Sequence, residues 1–163
     1  MVSYEWIRGS VPTGVQIKQV YGIVFDHQGM VLLRVDNEAY KLTGGKPEET
    51  DSDFEDTLKR EYLEELNAFL EDVHYLGYLK VIEDDKVYAQ VRMIGKIKHI
   101  GELRADTDSG KVYKRFMAKQ ENVKLYLKYP DVAGTKLVDD AIKMAKEVFD
   151  FKENQNEQKE YFI

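Results

Sequence analysis

Phe54, Leu58, Tyr62 and Leu66 recur every four residues within a stretch that is otherwise mostly charged. That period puts all four on one stripe of an α-helix and leaves the remaining surface polar. A helix with one apolar stripe must lay it on another layer, and the flanking sequence offers strands for the purpose. Val20–Asp26 and Met30–Asp36 are β-rich runs joined by His27-Gln28-Gly29, a hairpin connection. Tyr40-Lys41-Leu42 is short and extended, and Thr43-Gly44-Gly45 breaks it. After the helix come Val73–Ile82 and Lys86–Ile97, joined at Glu83-Asp84-Asp85. Residues 98–111 read as a loop or ragged strand, and Lys114–Met117 as a short strand. Leu137, Ala141, Ile142, Met144, Ala145, Val148 and Phe149 then predict a second amphipathic helix over about 135–150. The expectation is one domain over residues 1–163, mixed α/β or α+β. It has an N-terminal extension (1–19) with a loop at Ser10–Gly14, and a polar, fraying tail (152–163).

The charge is distributed unevenly. Formal net charge is −6, yet residues 48–72 alone carry −9, so the rest of the chain is slightly basic. Part of this acidity is helix-start chemistry. Ser52-x-x-Glu55 is a capping box that starts the helix near Asp53, and Asp53, Glu55 and Asp56 suit the positive end of the helix dipole. The second half is different. Glu61, Glu64 and Glu65, spaced i, i+3, i+4, share a face beside the apolar stripe, with Lys59 and Arg60 the only nearby bases in sequence. At about 4 Å each such pair of carboxylates repels by about 1 kcal/mol in water and by roughly 4 kcal/mol at an effective dielectric of about 20. Oxygen ligands clustered on a rigid helix suit a hard divalent cation such as Mg²⁺ or Mn²⁺. Asn67 ends the helix, since asparagine accepts the left-handed conformation needed there.

Gly45 through Ala68, GKPEETDSDFEDTLKREYLEELNA, resembles the Nudix box, Gx5Ex7REUxEExGU, with U apolar. Arg60-Glu61-Tyr62-Leu63-Glu64-Glu65-Leu66-Asn67-Ala68 matches its second half with Asn67 in place of glycine. The first half departs from the pattern. The gap from Gly45 to Arg60 is one residue too long, and in register with Arg60 the first box glutamate falls at Ser52. Thr43 also stands where a proline often precedes the two glycines. The resemblance implies a Nudix-like α/β/α sandwich with a mixed central sheet and the box helix at about 53–66.

It also implies hydrolysis of a pyrophosphate linkage in a nucleoside-diphosphate-type substrate, with Mg²⁺ (or Mn²⁺) as cofactor and water attacking phosphorus. Glu61 and Glu65 become the main metal ligands, assisted by Glu64 and the Gly45 carbonyl. Arg60 becomes a structural partner that orients a carboxylate. Glu64 and Glu48 are candidates for the general base, with Glu61 also in the catalytic set. Glu83–Asp85, Glu102, Asp106 and Asp108 could supply a further ligand or base from outside the box. The alternative is an impaired module of the same fold that binds a nucleotide or partner without turnover.

Phosphate contacts are expected from Arg34 and Lys41, which flank the glycine loop, with Gly44 letting backbone approach closely. Lys111, Lys114, Arg115 and Lys119 form a basic run, and Tyr40, Tyr88 and Tyr113 could stack on a base. His27, His74 and His99 are scattered and read as no ligand set. The absence of cysteine excludes a disulfide framework and a thiol nucleophile, and with it the isopentenyl diphosphate isomerase branch of the superfamily. It also suits a reducing cytoplasm. No apolar run approaches the roughly 20 residues that span a bilayer, and the N-terminus has no signal-peptide pattern. No aromatic-and-basic stripe argues for nucleic acid. Homodimers are common in the family, and Tyr4, Trp6 and Ile7 could pack on a second copy or on their own domain.

Overall fold

The computed structural model describes residues 1–129, 131–152 and 158–163. In chain order the elements are β1 (Val2–Ile7), β2 (Gln16–Phe25), β3 (Val31–Asp36), β4 (Ala39–Lys41), β5 (Thr43–Gly45), α1 (Phe54–Leu66), β6 (Ala68–Glu83) and β7 (Lys86–Ile100). They continue with β8 (Lys114–Ala118), α2 (Val123–Leu127), α3 (Val132–Val148) and β9 (Tyr161–Phe162). The strands form one sheet in the order β1-β6-β7-β2-β3-β8-β9, with β4 paired to β3 and β5 to β2. It is mixed: β2 and β7 run parallel, while β6–β7, β2–β5 and β3–β8 are antiparallel.

Alternation along the central strands divides the core in two. On one face Val20, Val24, Leu32, Val91 and Met93 receive Leu58, Tyr62 and Leu66 of α1. On the other Ile23, Phe25, Leu33, Val35 and Ile94 receive Leu137, Val138, Ala141 and Ala145 of α3. This is the expected α/β/α sandwich, and it follows from period-2 burial on strands meeting i, i+4 stripes on helices. The Tyr62 hydroxyl, fully buried, donates to the Gly22 carbonyl at 2.9 Å and fixes how α1 sits on β2. Among the described residues no helix is long and apolar enough to cross a membrane.

Several elements differ from expectation. Residues 1–19 are extended as expected, but they are built into the sheet rather than appended to the domain. Six residues of β1 pair with β6 from Val2↔Glu83 to Ile7↔Tyr78, and Trp6 Nε1 donates to Asp140 of α3 at 2.7 Å. The second hairpin is longer at both ends than 73–82 and 86–97. Register shifts at Phe69/Leu70, Glu71/His74 and Tyr75/Gly77 break the alternation that a sequence reading relies on. Thr43-Gly44-Gly45 does not break a strand but is one, pairing with Gly22, Tyr21 and Val20. The second helix starts earlier, at Val132, because the Asp131 carboxylate accepts from the Gly134 amide at its N-terminus. The five-residue α2 was not anticipated. Of the tail, residues 153–157 lie outside the described residues. Its end is anchored, since Phe162 pairs with Phe116 and the Glu160 carboxylate accepts from the Lys119 amide and the Tyr126 hydroxyl.

Tyr62→Phe removes one buried hydrogen bond without opening a cavity and should cost about 1 kcal/mol, whereas Tyr62→Ala should cost about 3–5 kcal/mol. Urea denaturation measures both. An unchanged midpoint for Tyr62→Phe would mean that the hydroxyl does not seat the helix.

Candidate functional site

The helix that carries the glutamates is capped one residue later than the sequence suggests. Asp53, not Ser52, is the N-cap, and its carboxylate accepts from the Asp56 amide at 2.8 Å. The Asp56 carboxylate reaches back to the Ser52 amide at 3.0 Å, so the reciprocal logic of a capping box is kept with aspartates. At the other end Asn67 adopts φ 49° and ψ 42°, the left-handed conformation expected of it. Arg115, buried, donates to the Leu66 and Gly101 carbonyls at 2.9 and 2.8 Å. One member of the basic run is thus committed to closing the helix C-terminus.

Arg60 is the hub of the acidic face. Its Nε and Nη2 bind both oxygens of Asp51, at 3.0 and 2.9 Å, and Nη2 also donates to the Lys46 carbonyl at 3.1 Å. Its Nη1 lies 3.0 Å from Glu61, 3.4 Å from Glu64 and 3.5 Å from Glu48. Asp51 in turn accepts from the Thr57 hydroxyl and the Glu48 amide, each at 2.9 Å. The Arg60 guanidinium holds the Asp51 carboxyl well below the usual carboxylate range.

Asp51 was missed from sequence because counting back from Arg60 lands on Ser52. Counting forward from Gly45 with the five-residue gap of the box lands on Asp51 itself. The extra residue therefore falls between Asp51 and Arg60, and the aspartate supplies the carboxylate that Arg60 grips.

Glu65 is 8% exposed. Its Oε1 accepts from Arg34 Nη1 at 2.8 Å, and its Oε2 is buried without a hydrogen-bond partner among the described residues. Burial pushes its pKa up to about 7, with Arg34 opposing and Glu61 and Asp106 adding to the rise. Glu61 and Glu64 are also raised, by burial first, with Arg60 opposing and Asp106 contributing. Asp106 is therefore the loop acid whose charge bears on all three box glutamates. It is 6% exposed and is held by a tight turn in which its carboxylate accepts from the Asp108 and Ser109 amides. Glu83–Asp85 instead belong to the β6–β7 turn, where Asp84 meets the N-terminal amine at 3.7 Å.

Gly45 presses on this cluster and Gly44 on β2. A Cβ on Gly45 would run into the Glu61 carboxylate, and one on Gly44 would strike the Val20 carbonyl and Tyr21. Only glycine lets this strand lie between β2 and the glutamates.

Arg34 and Lys41 stand opposite each other on β3 and β4. Arg34 is half-committed to Glu65 and stacks on Tyr113, 4.7 Å from the ring centre. Lys41 is exposed and lines a cavity of about 310 Å³ with Arg34 and Tyr40. Tyr88 lies apart, under Lys18.

Oxygen donors, an unpartnered buried oxygen on Glu65 and a backbone flush against Glu61 fit a hard divalent cation in kind. Among the described residues, however, no three acidic or imidazole side chains already converge on one point; Arg60 and Arg34 hold the glutamates instead.

No protein-family model and no curated protein matches this sequence. Solved structures do. The pyrophosphohydrolase RppH of Bacillus subtilis is 21% identical over 86% of this chain and 90% of its own, with a TM-score of 0.67. The NUDIX domain of Shewanella oneidensis NrtR, determined with ADP-ribose, is 18% identical over 80% of this chain and 88% of its own, with a TM-score of 0.57. A MutT structure from a study of the Aliivibrio salmonicida and Vibrio cholerae proteins is 17% identical over 77% of this chain and 94% of its own, with a TM-score of 0.55. With its mixed sheet between α1 and α3 and its glycine strand against the glutamate helix, this chain has the fold of the Nudix hydrolases.

Proposed function

We propose that the protein hydrolyses a pyrophosphate linkage in a nucleoside-diphosphate-type substrate, by water attack on phosphorus with Mg²⁺ or Mn²⁺ as cofactor. The observation that carries this reading is that Glu61, Glu64 and Glu65 share one side of α1, with Glu61 against Gly45, and that burial raises all three carboxyls while the charge of Asp106 adds to each rise. Such a cluster of like charges is poorly matched to water and well matched to cations. Glu61, Glu65 and Glu64, with the Gly45 carbonyl, would hold the metal. A bound divalent cation polarises the phosphoryl oxygen and lowers the pKa of water.

The remaining roles fall to the chain's own groups. Arg60, clamped by Asp51, orients the Glu61 and Glu64 carboxylates and does not touch substrate. Glu64 is the first candidate to take the proton of the attacking water. Glu48 is the second, exposed enough to swing toward it. Gly44 admits the phosphate close to the backbone. Lys41, free of ion pairs among the described residues, meets the substrate's charge together with Arg34. The pyrophosphohydrolase activity named for the Bacillus subtilis structure and the ADP-ribose in the Shewanella oneidensis one support this substrate class. The lack of cysteine favours a cytoplasmic setting.

The rival reading is a module that binds nucleotide without turnover. What favours it is that arginines already hold the three glutamates. A Mg²⁺ titration of EDTA-stripped protein against a panel of nucleoside-diphosphate-linked compounds separates the two. Metal-dependent release is expected, and bound nucleotide with no release from any compound would establish the binding module. Glu65→Gln should lower kcat by about 100-fold or more while thermal unfolding stays cooperative. Full turnover by that variant would refute the metal role.

Asp51→Asn should lower stability at neutral pH by about 1.5–3 kcal/mol, because Arg60 loses a charge-assisted, two-oxygen partner. Since the folded-state pKa of Asp51 is depressed, its contribution is present in full above the usual carboxylate pKa and fades as pH falls toward the folded value. Paired urea titrations should therefore show the gap between variant and wild type narrowing below about pH 4. A gap that stays constant down to acid would show that the charge of Asp51 is not what stabilises.

A further inference from the structure

Arg92 is 5% exposed and lies on β7 directly across from Tyr21 of β2. Its guanidinium stacks on the Tyr21 ring, 4.7 Å from the centre, which leaves the edge of the fork free to meet a ligand. That edge has only neutral partners, the Tyr129 hydroxyl beside it among them. Nη2 reaches the Gln90 amide oxygen at 3.2 Å, Nη1 makes only 3.5 Å contacts to the Gln90 and Val91 carbonyls, and Nε is buried without a partner. Among the described residues no carboxylate lies within ion-pair distance of Arg92, although buried arginines are ordinarily paired.

Among the described residues, the cavity of about 310 Å³ into which Arg92 faces is lined by Tyr21, Arg34, Lys41, Gln90 and Tyr129 and by no acid. Arg34, which reaches Glu65 with Nη1, also has a buried Nε without a partner. Three cationic side chains therefore line one cavity, with no acidic side chain among its described lining residues. A neutral ligand would satisfy their N–H groups and leave the charge standing; an oxyanion satisfies both.

We propose that this cavity is a phosphate subsite in which Arg92, with Arg34 and Lys41, binds a phosphate carried by the substrate beyond the bond that is cut. The link to a substrate rests on the hydrolase reading above, because Arg34 joins the cavity to Glu65. The phosphate binding itself does not. Arg92 then determines specificity: compounds with a further phosphate on the moiety attached to the pyrophosphate are favoured over the same compounds without it.

Isothermal titration with inorganic phosphate in EDTA, on wild type and Arg92→Met, tests the subsite independently of turnover. Wild type should bind, and phosphate should raise its unfolding temperature. Arg92→Met should unfold at the same or a higher temperature without phosphate, because an unpaired buried charge has been replaced by an apolar chain, and should bind phosphate at least tenfold more weakly. If that variant does not fold, Arg92→Lys carries the test, since an ammonium cannot reproduce the fork and must bind more weakly. Undiminished phosphate affinity in the folded variant, or a response to neutral guanosine but not to phosphate, would overturn the proposal. The second arm compares kcat/KM for a dinucleotide with and without a 2′-phosphate. Wild type should prefer the phosphorylated member and Arg92→Met should lose the preference. No turnover of either compound would count against the hydrolase reading alone, leaving the titration to decide the subsite.

Discussion

The geometry of the acidic face depends on one guanidinium. Arg60 sits on a helix that presents Glu61 and Glu64 on the same side, and without a cation those groups would splay apart. It meets both while being held from behind by the two oxygens of Asp51. Asp51 is itself fixed by the Thr57 hydroxyl and the Glu48 amide, so the loop after the glycine strand is fastened to the first turns of the helix. The chain of contacts runs from Gly45, flush against Glu61, through Arg60 to Asp51 and back into the backbone near Glu48. Placement of the glutamates is thus not a property of the helix alone. It is a property of a closed loop–helix circuit, and a two-point grip is what gives that circuit its direction.

The parts of the fold that could be read in the sequence are those governed by period. The α1 stripe at Phe54, Leu58, Tyr62 and Leu66, the β2 and β3 runs, the left-handed Asn67 and the loop that carries Asp106 all follow local rules, and each is found near its expected place. What could not be read depends on partners remote in sequence. β1 looks like an unremarkable extended segment, and its strand character comes from β6, some seventy to eighty residues on. The turn after β3 uses Asn37 and Glu38 at positive φ, and glutamate gives no turn signal. The bulges in β6 and β7 erase the alternation that would have set their ends. Arg92 was invisible for the same reason. A lone arginine in a strand reads as a solvent-facing residue, and only the parallel pairing with β2 buries it against Tyr21.

The candidate site was legible to the extent that its acidic groups are concentrated in one helix. Glu61, Glu64 and Glu65 share a face because of their spacing, and that inference needs no tertiary information. Asp51 required knowing from which end to count, since an inserted residue puts two registers in conflict. The structure resolves the conflict by geometry, because the carboxylate that pairs with Arg60 belongs to Asp51, whereas Ser52 meets the capping aspartate Asp56. Spacing rules carry over an insertion only when the residue that must keep its contact is known.

The three arginines around the glycine strand differ in how far each is neutralised, and the difference has a direction. Arg60 is surrounded by four carboxylates, Arg34 meets one, and Arg92 meets none among the described residues. Moving from the box helix past Gly44 toward β7, the surroundings pass from excess negative to uncompensated positive charge. A ligand that carries negative charge along its length and is bound at one end through cations lowers its energy only if its far end points down this gradient. Backbone packing sets the distance between the two ends, since a Cβ on Gly44 would strike the Val20 carbonyl and Tyr21 of β2 and one on Gly45 would strike the Glu61 carboxylate. A side chain at either glycine would therefore do more than strain a strand: it would push β5 off β2 or off the glutamate helix, and so shift the acidic face relative to the arginines on β3 and β7.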